Sequence, residues 1–399
     1  MAEPRITVII PTRERCETLG ASIRTCVEQN YDNLEIIVSD NASRDDTEAI
    51  VRSFTDPRLK YIKTDRRLSV TGNFEFALGH AQSGFVTIIG DDDGLMPGAA
   101  AKVADLIKQT GTKAIVSYAI RYNWPNHQFD RVRNRMYIRR VGRRIECKDS
   151  SAEVSRVLAC IQGGPPAEYW ELPDLYRGFV AMEVIQAALR DGRYFHSMTP
   201  DVYSAFANSF CLKKFLRIDQ PLAVEGVSGR STGASQGFGI SNSEERRFVE
   251  EADIAFHSDL IYAPSFNIVI AEAYLQARAR FPEACKDHDF SIARVCGTAL
   301  RDASGPNRDR TIEVVNDILA KHKVAAVYPN PLSSQVHRAW QGFFDAFRGG
   351  EVDCEMFGAQ DVYQASLLAH HLLTLRHEGG VSAGASWVWS KLQKKVGWR

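Results

Sequence analysis

Five β-branched, apolar runs separated by helically spaced segments occupy the first 120 residues, and this alternation limits the chain more than any other feature. "RITVIIPT" reads as a buried strand, and Glu14 to Gln29 follows with helical spacing. "LEIIVSDNAS" is a second strand. "SRDDTEAIVRSF" predicts a helix capped by Ser43, with acidic residues in its first turn. "RLKYIKT" is a short third strand, Gly72 to Gln82 is helical, and "FVTIIG" is a fourth strand. Pro97 and Gly98 open a further helix to Gln109, before "KAIVSYAIRY" as a fifth strand. Such alternation predicts an α/β domain with a mainly parallel sheet and flanking helices.

The fourth strand runs directly into three consecutive aspartates, Asp91, Asp92 and Asp93, in "FVTIIGDDDGLMP", and the second strand ends on Asp40. In open α/β sheets, ligands bind beyond the C-terminal strand ends. Both acidic positions therefore face one crevice. Adjacent carboxylates repel each other and need an offsetting partner. A hard divalent cation, which takes oxygen ligands and shares them with substrate phosphates, is one such partner. An acidic turn capping the helix after Pro97 is the plainer alternative.

Other phosphate-binding devices are missing. No GxxxxGK[ST] occurs, and "PTRER" stands where a dinucleotide-binding GxGxxG would follow the first strand. A turn without glycine does not let a helix N-terminus approach a pyrophosphate closely, which leaves that task to a cation.

Taken in order, "VIIPTRER", "IIVSDNASRDDT", "NFEFALGHAQSGFVTIIGDDDGLMP" and "TPDVYSAF" resemble the family 2 glycosyltransferases with the glycosyltransferase A (GT-A) fold. The resemblance is strong over residues 5 to 110 and fair to about 230. It implies a nucleotide-sugar donor, usually uridine-linked, and a Mn²⁺ or Mg²⁺ ion. It places Pro11, Thr12 and Arg13 at the nucleoside, Asp40 at the base, and Arg67 near the base and phosphates. Asp91 is implied at the ribose and Asp92 on the metal. The commonest pattern has another aspartate where Gly90 stands, so Asp93 remains a candidate ligand. The catalytic base falls on Asp201, after Pro200, although the more usual Glu-Asp pair is absent. An ordinary first-turn aspartate beside a proline is the structural alternative there. The activity implied is inverting transfer of a sugar to a hydroxyl of a saccharide or polyprenol-linked acceptor, in cell-surface polysaccharide biosynthesis. A sugar nucleotidyltransferase, or a non-catalytic nucleotide-sugar or glycan-binding module, are the competing readings.

The expected organisation is a catalytic domain over residues 1–230 and a helical region over 231–399. Residues 1–110 form the nucleotide half, and 111–230 form the acceptor half with an insertion at 122–200. Within the insertion, "RVRNRMYIRRVGRR" reads as a basic hairpin, and "SSAEVSRVLACIQ" and "LYRGFVAMEVIQAALRDG" as helices. Tyr169, Trp170, Tyr176 and Phe179 are either core or a surface for acceptor sugars. "RYFHSMTPDVYSAFANSFCLKKFLRIDQPLAVEG" reads as strand, helix, strand, and "SGRSTGAS" after it as a linker or a lid carrying Arg230. His257 is a candidate third metal ligand and His196 a neighbour of Asp201, although both suit a satisfied structural histidine.

A formal net charge of zero supplies no bulk field for nucleic acid, and 44% hydrophobic with 25% charged residues suits a globular protein. The eight scattered cysteines form no CxxC pair, which argues against a zinc site. No leader-like segment or membrane-length apolar run is evident, so a cytoplasmic location is expected. The tail "SWVWSKLQKKVGWR" joins three tryptophans to four basic residues and suits either peripheral membrane contact or docking on the protein.

Overall fold

The computed structural model of the chain describes residues 3–138, 142, 144–231, 243–329 and 350–375, with side chains from 246 onward in the fourth segment. Four strands form the parallel half of the sheet: β1 (Ile6–Thr12), β2 (Leu34–Asp40), β3 (Leu59–Lys63) and β4 (Phe85–Ile88). They lie in the spatial order β4-β1-β2-β3 and are joined by helices α1 (Cys16–Val27), α2 (Thr47–Arg52) and α3 (Val70–Leu78). Helices cover both faces of such a sheet, so its strands are continuously apolar rather than alternating. Ile6, Val8, Ile9 and Ile10 of β1 and Ile36, Ile37 and Val38 of β2 are accordingly all buried.

The rest of the sheet is mixed. After β5 (Gly94–Leu95) and α4 (Ala99–Thr110) come β6 (Ala114–Asn123), β7 (Arg135–Ile138) and β8 (Ile145–Asp149). Next are α5 (Ser150–Ile161), β9 (Phe179–Ala181), α6 (Met182–Ala188), α7 (Pro200–Cys211) and β10 (Lys214–Val227). β9 lies antiparallel between β4 and β6, and β10 runs parallel to β6. A late strand, β11 (Gly350–Asp353), adds to β7. The expected α/β architecture with flanking helices, including C-terminal ones, is what the chain adopts.

Four local expectations give way. Ser43 does not cap α2: its backbone N–H donates to Asp40 Oδ1 at 2.8 Å and its hydroxyl accepts from the Glu14 N–H at 2.9 Å. With Ser43 held at the strand end, α2 begins at Thr47. "LYRGFVAMEVIQAALRDG" is not one helix, because Phe179–Ala181 fills the gap between β4 and β6 before α6 starts. "RYF" forms no strand, so α7 is preceded by turns. Among its described residues the basic segment does not pair with itself either. β7 joins β6 and β11, whereas β8 joins β10. Arg133 and Arg135 there meet Asp130 and Asp353 at 2.7 and 3.4 Å, and Arg139, Arg140 and Arg143 lie outside the described residues.

Past residue 243 the described chain is mainly helical, interrupted by the loop over 251–265, by β11 and by shorter turns. The helix Phe266–Arg280 is buried from Ile268 to Ala277 and packs on α7, with Tyr274 edge-on to Phe206 at a ring separation of 5.5 Å. That contact fixes the helix whose first turn carries Asp201.

Candidate active site

The strand register sets the site. Thr12, Asp40 and Lys63 stand side by side at the C-terminal ends of β1, β2 and β3. Asp40 is fully buried; Ser43 N–H serves Oδ1, while Tyr61 Oη (2.6 Å) and Lys63 Nζ (3.3 Å) serve Oδ2. A nucleobase donor would share an oxygen with one of these groups. Pro11 lies beside Ser39 within the sheet. The more exposed cations here already have carboxylate partners. Arg13 pairs with Glu251, and Arg67 with Glu14 at 2.5 Å. Arg230 donates to the Glu14 carbonyl at 2.7 Å and lies 3.8 Å from Glu17.

The three consecutive aspartates after β4 point in three directions, and this lets the chain bury them together. Asp91 Oδ2 accepts from Thr12 Oγ1 at 2.8 Å. Asp92 Oδ2 accepts from Ser228 Oγ at 2.6 Å and Ser228 N–H at 3.2 Å, and the Asp92 carbonyl accepts from Trp124 Nε1 at 2.9 Å. Asp93 turns back on the chain: Oδ1 accepts from Gly226 N–H (2.7 Å) and Oδ2 from Gly90 N–H (3.0 Å). Arg15 Nη1 stands 3.6 Å from Asp91 and 3.5 Å from Asp92. Asp91 and Asp92 therefore share one guanidinium, whereas Asp93 Oδ2 closes the turn onto Gly90 and Oδ1 ties it to β10 at Gly226.

Glycine is required at two places around this turn. A Cβ on Gly226 would sit 1.7 Å from the Asp92 carbonyl oxygen. A Cβ on Gly90 would sit 2.5 Å from Tyr176 Oη, with Asp92 Oδ1 at 3.1 Å. The second contact leaves little room for a side chain at position 90.

Electrostatics agree with the crowding. Burial pushes Asp91 up to about 6; Arg15 opposes the shift and Asp92 adds to it. Burial likewise pushes Asp93 up to about 7, against the nearby charge of Arg177. Asp91 and Asp92 share the single guanidinium of Arg15, which leaves negative charge incompletely offset when both are ionised. The donor set is all oxygen, and among the described residues no three His, Cys, Asp or Glu side chains form a metal-holding group. Such a pair suits a hard cation that takes its remaining ligands from substrate or water.

Asp201 is the second residue of α7, after Pro200 at the first helical position. Its Oδ2 accepts from Tyr169 Oη at 2.8 Å. Between Asp201 and the acidic turn lies the loop Asp174–Arg177. Burial raises Asp174 well above the usual carboxylate range, opposed by Arg177 and reinforced by Asp201. Arg177 is itself largely buried, with Glu225 at 3.3 Å and its guanidinium 5.1 Å from the Tyr176 ring. Its φ of 73° is uncommon for a non-glycine residue. Its N–H donates to the Ile88 carbonyl at 2.8 Å, which ties the loop to the end of β4.

Arg15, Arg177 and Ser228 belong to this site without having been singled out from the sequence, and Tyr169, read there only as core or an acceptor surface, joins it as the partner of Asp201. Arg15 sits within the quoted "PTRER" and Ser228 within "SGRSTGAS"; none of the four roles has a local signal, because the partners are 30 to 140 residues away. His257 does not join the acidic turn; its ring accepts from the Asp259 N–H at 3.2 Å. His196 contacts the Arg190 and Arg193 carbonyls at 3.1 Å, a structural role. Phe179 is core, and Tyr169, Trp170 and Tyr176 are half-buried. Residues 232–235 of "SGRSTGAS" and the tryptophan-rich tail lie outside the described residues. Among the described residues no helix is long and apolar enough to cross a membrane.

Residues 7–158 match the family described as Glycosyl transferase family 2, which bears out the resemblance read from the sequence. The GalNAc(5)-diNAcBac-PP-undecaprenol beta-1,3-glucosyltransferase of Campylobacter jejuni is 38% identical over 99 residues, covering 24% of this chain and 32% of that protein. The UDP-Glc:alpha-D-GlcNAc-diphosphoundecaprenol beta-1,3-glucosyltransferase WfgD of Escherichia coli is 31% identical over 88 residues, 22% of this chain and 35% of that protein. The chain thus aligns with about a third of the length of these curated relatives. S. aureus TarS, solved in complex with UDP-GlcNAc, overlays with a TM-score of 0.46 and 12% identity, covering 85% of this chain and 92% of that one.

Proposed function

On the family match over residues 7–158, we propose that the chain is an inverting glycosyltransferase. It moves a sugar from a nucleoside-diphosphate donor, UDP-linked by preference, to a hydroxyl of a saccharide or polyprenol-linked acceptor. One observation carries this reading: Asp91 and Asp92 converge on a single guanidinium at the C-terminal ends of the parallel strands, where a nucleotide's phosphates would lie. The curated relatives named above are glucosyltransferases whose printed substrates are undecaprenol diphosphate-linked saccharides, which supports the acceptor class.

The residues divide the work as follows. Pro11, Thr12, Arg13 and Arg67 line the nucleoside end, with Asp40 holding the turn that forms it. Asp91, fixed by Thr12, meets the ribose, and Asp92 with Asp91 would hold Mn²⁺ or Mg²⁺. That ion, when bound, supplies Lewis-acid stabilisation of charge on the departing diphosphate. Asp93 serves the turn rather than the ion. Arg15 lies where it can follow the phosphates. Asp201 takes the proton from the acceptor hydroxyl as that oxygen attacks the anomeric carbon opposite the leaving nucleotide. A positioned base of this kind contributes about 10²–10⁴-fold.

The test is transfer by purified protein from a panel of nucleotide sugars to a diphosphopolyprenol-linked saccharide, with product analysis. The expected result is nucleoside diphosphate release with glycosylated acceptor, and a loss of about 10²–10⁴-fold in Asp201→Asn. Pyrophosphate release would point to a nucleotidyltransferase, and tight donor binding without turnover to a binding module. Wild-type turnover by Asp201→Asn would remove Asp201 as the base.

A further inference from the structure

Asp201 lies outside the matched segment 7–158, so the residues that aim its carboxylate must be sought in the structure itself. Among the described residues one side chain donates to that carboxylate, the phenol of Tyr169, and it reaches Oδ2. Tyr169 opens a short 3₁₀ turn, Tyr169–Glu171, that is anchored at its other end. Glu171 pairs with Arg217 Nη2 of β10 at 3.0 Å and with Arg156 of α5. Arg217 in turn donates to Tyr118 Oη of β6 at 2.7 Å. Between the two ends, Trp170 packs edge-on against the Tyr169 ring at 5.2 Å. The phenol is therefore fixed by ion pairs to a helix and a strand, while the aspartate is fixed by the first turn of α7.

We propose that Tyr169 is the positioning residue for the general base: its hydroxyl holds Oδ2 of Asp201 and so turns Oδ1 towards the acceptor hydroxyl. This rests on the assignment of Asp201 as the base. In the transfer step the acceptor proton passes to Oδ1. The acceptor oxygen forms its bond to the anomeric carbon, and the bond to the diphosphate oxygen breaks with its electron pair leaving on the nucleotide. Tyr169 gives up no proton. Burial, reinforced by the adjacent Asp201 charge, raises its phenol well above the ordinary value, so it remains a donor throughout the working pH range.

A double-mutant cycle tests this, since two residues that act as one unit are strongly non-additive. Transfer is measured with Tyr169→Phe, Asp201→Asn and the double variant, using a radiolabelled donor to follow slow rates. Tyr169→Phe is expected to lower kcat about 10- to 100-fold, with donor KM and melting temperature unchanged, as for a misaligned reacting group. In the Asp201→Asn background the same change is expected to cost less than about twofold, since the cycle then has nothing left to couple. Glu171→Gln keeps the phenol but loosens its anchor, and its loss of kcat is expected to show the same dependence on Asp201. The proposal is overturned if Tyr169→Phe retains wild-type kcat, or if its loss is undiminished in the Asp201→Asn background. Near-wild-type turnover by Asp201→Asn alone would instead refute the base assignment, and the positioning role would fall with it.

Discussion

Replacing Asp93 with asparagine removes a buried carboxyl that folding pushes up to about 7. Its unfolded value is near 3.9. With the folded pKa raised, the folded state holds the proton longer than the unfolded chain. The stabilising contribution is complete below the unfolded pKa, declines as pH rises, and levels off once the folded pKa is passed. Integrated from pH 5 to pH 8.5, the linkage relation gives a swing of about 3 kcal/mol. Four histidines that burial lowers, His127, His196, His257 and His288, work in the opposite direction near pH 6.5. They are common to both proteins and cancel in the difference. The asparagine amide also faces a backbone N–H where an oxygen accepted before, an offset of about 1–3 kcal/mol that does not depend on pH. The assay is chemical unfolding of wild type and Asp93→Asn in chelator at half-unit pH steps. Wild-type stability relative to the variant should fall by about 3 kcal/mol between pH 5 and 8.5. A gap that stays constant over that range would show that Asp93 does not titrate there, and would refute the picture of a turn closed by a carboxyl near its neutral form.

Two further substitutions follow from the same packing. Gly90→Asp adds a side chain whose Cβ would meet Tyr176 Oη at 2.5 Å. The variant should melt lower than wild type and lose transfer, and an unchanged melting curve would contradict the steric account. Arg177→Met removes the cation that opposes the buried charge of Asp93 and Asp174 and pairs with Glu225. Unfolding measurements should show a loss of about 3–5 kcal/mol at pH 8, the usual consequence of breaking a buried pair, and a smaller loss at pH 5.5, where Asp93 is protonated.

The parallel half of the sheet was legible in the sequence for a physical reason. β1, β2 and β4 are buried on both faces, so they appear as unbroken apolar runs ending in polar turns. The location of the site followed, because ligands gather at those strand ends, and Thr12, Asp40 and Asp91–Asp93 do cluster there. The antiparallel additions were not legible. β9 has three residues that merge without a break into the helical spacing of Met182–Ala188, and its partners are strands formed 60 to 100 residues earlier. β7 and β8 looked like one hairpin because they are adjacent in sequence, whereas their partners are β6, β11 and β10. The different tasks of the three aspartates were also hidden. Spacing places them together, but Thr12, Ser228 and Gly226 determine which way each one turns. The aromatic stretch marked Tyr169 without showing its partner Asp201, and Arg177 had no local signature, since an aromatic or basic residue in a loop acquires its role only from the groups brought against it.

The central claim is that the buried pair Asp91 and Asp92 accepts a cation together with a nucleotide's phosphates. Calorimetric titration of the whole protein with UDP at pH 7.5, with and without Mn²⁺, tests it most directly, with Asp92→Asn run in parallel. The account predicts wild-type UDP binding at least about tenfold tighter with the ion, a coupling of about 1.4 kcal/mol, and loss of that dependence in the variant. Equal affinity with and without Mn²⁺, or no UDP binding under either condition, would contradict it.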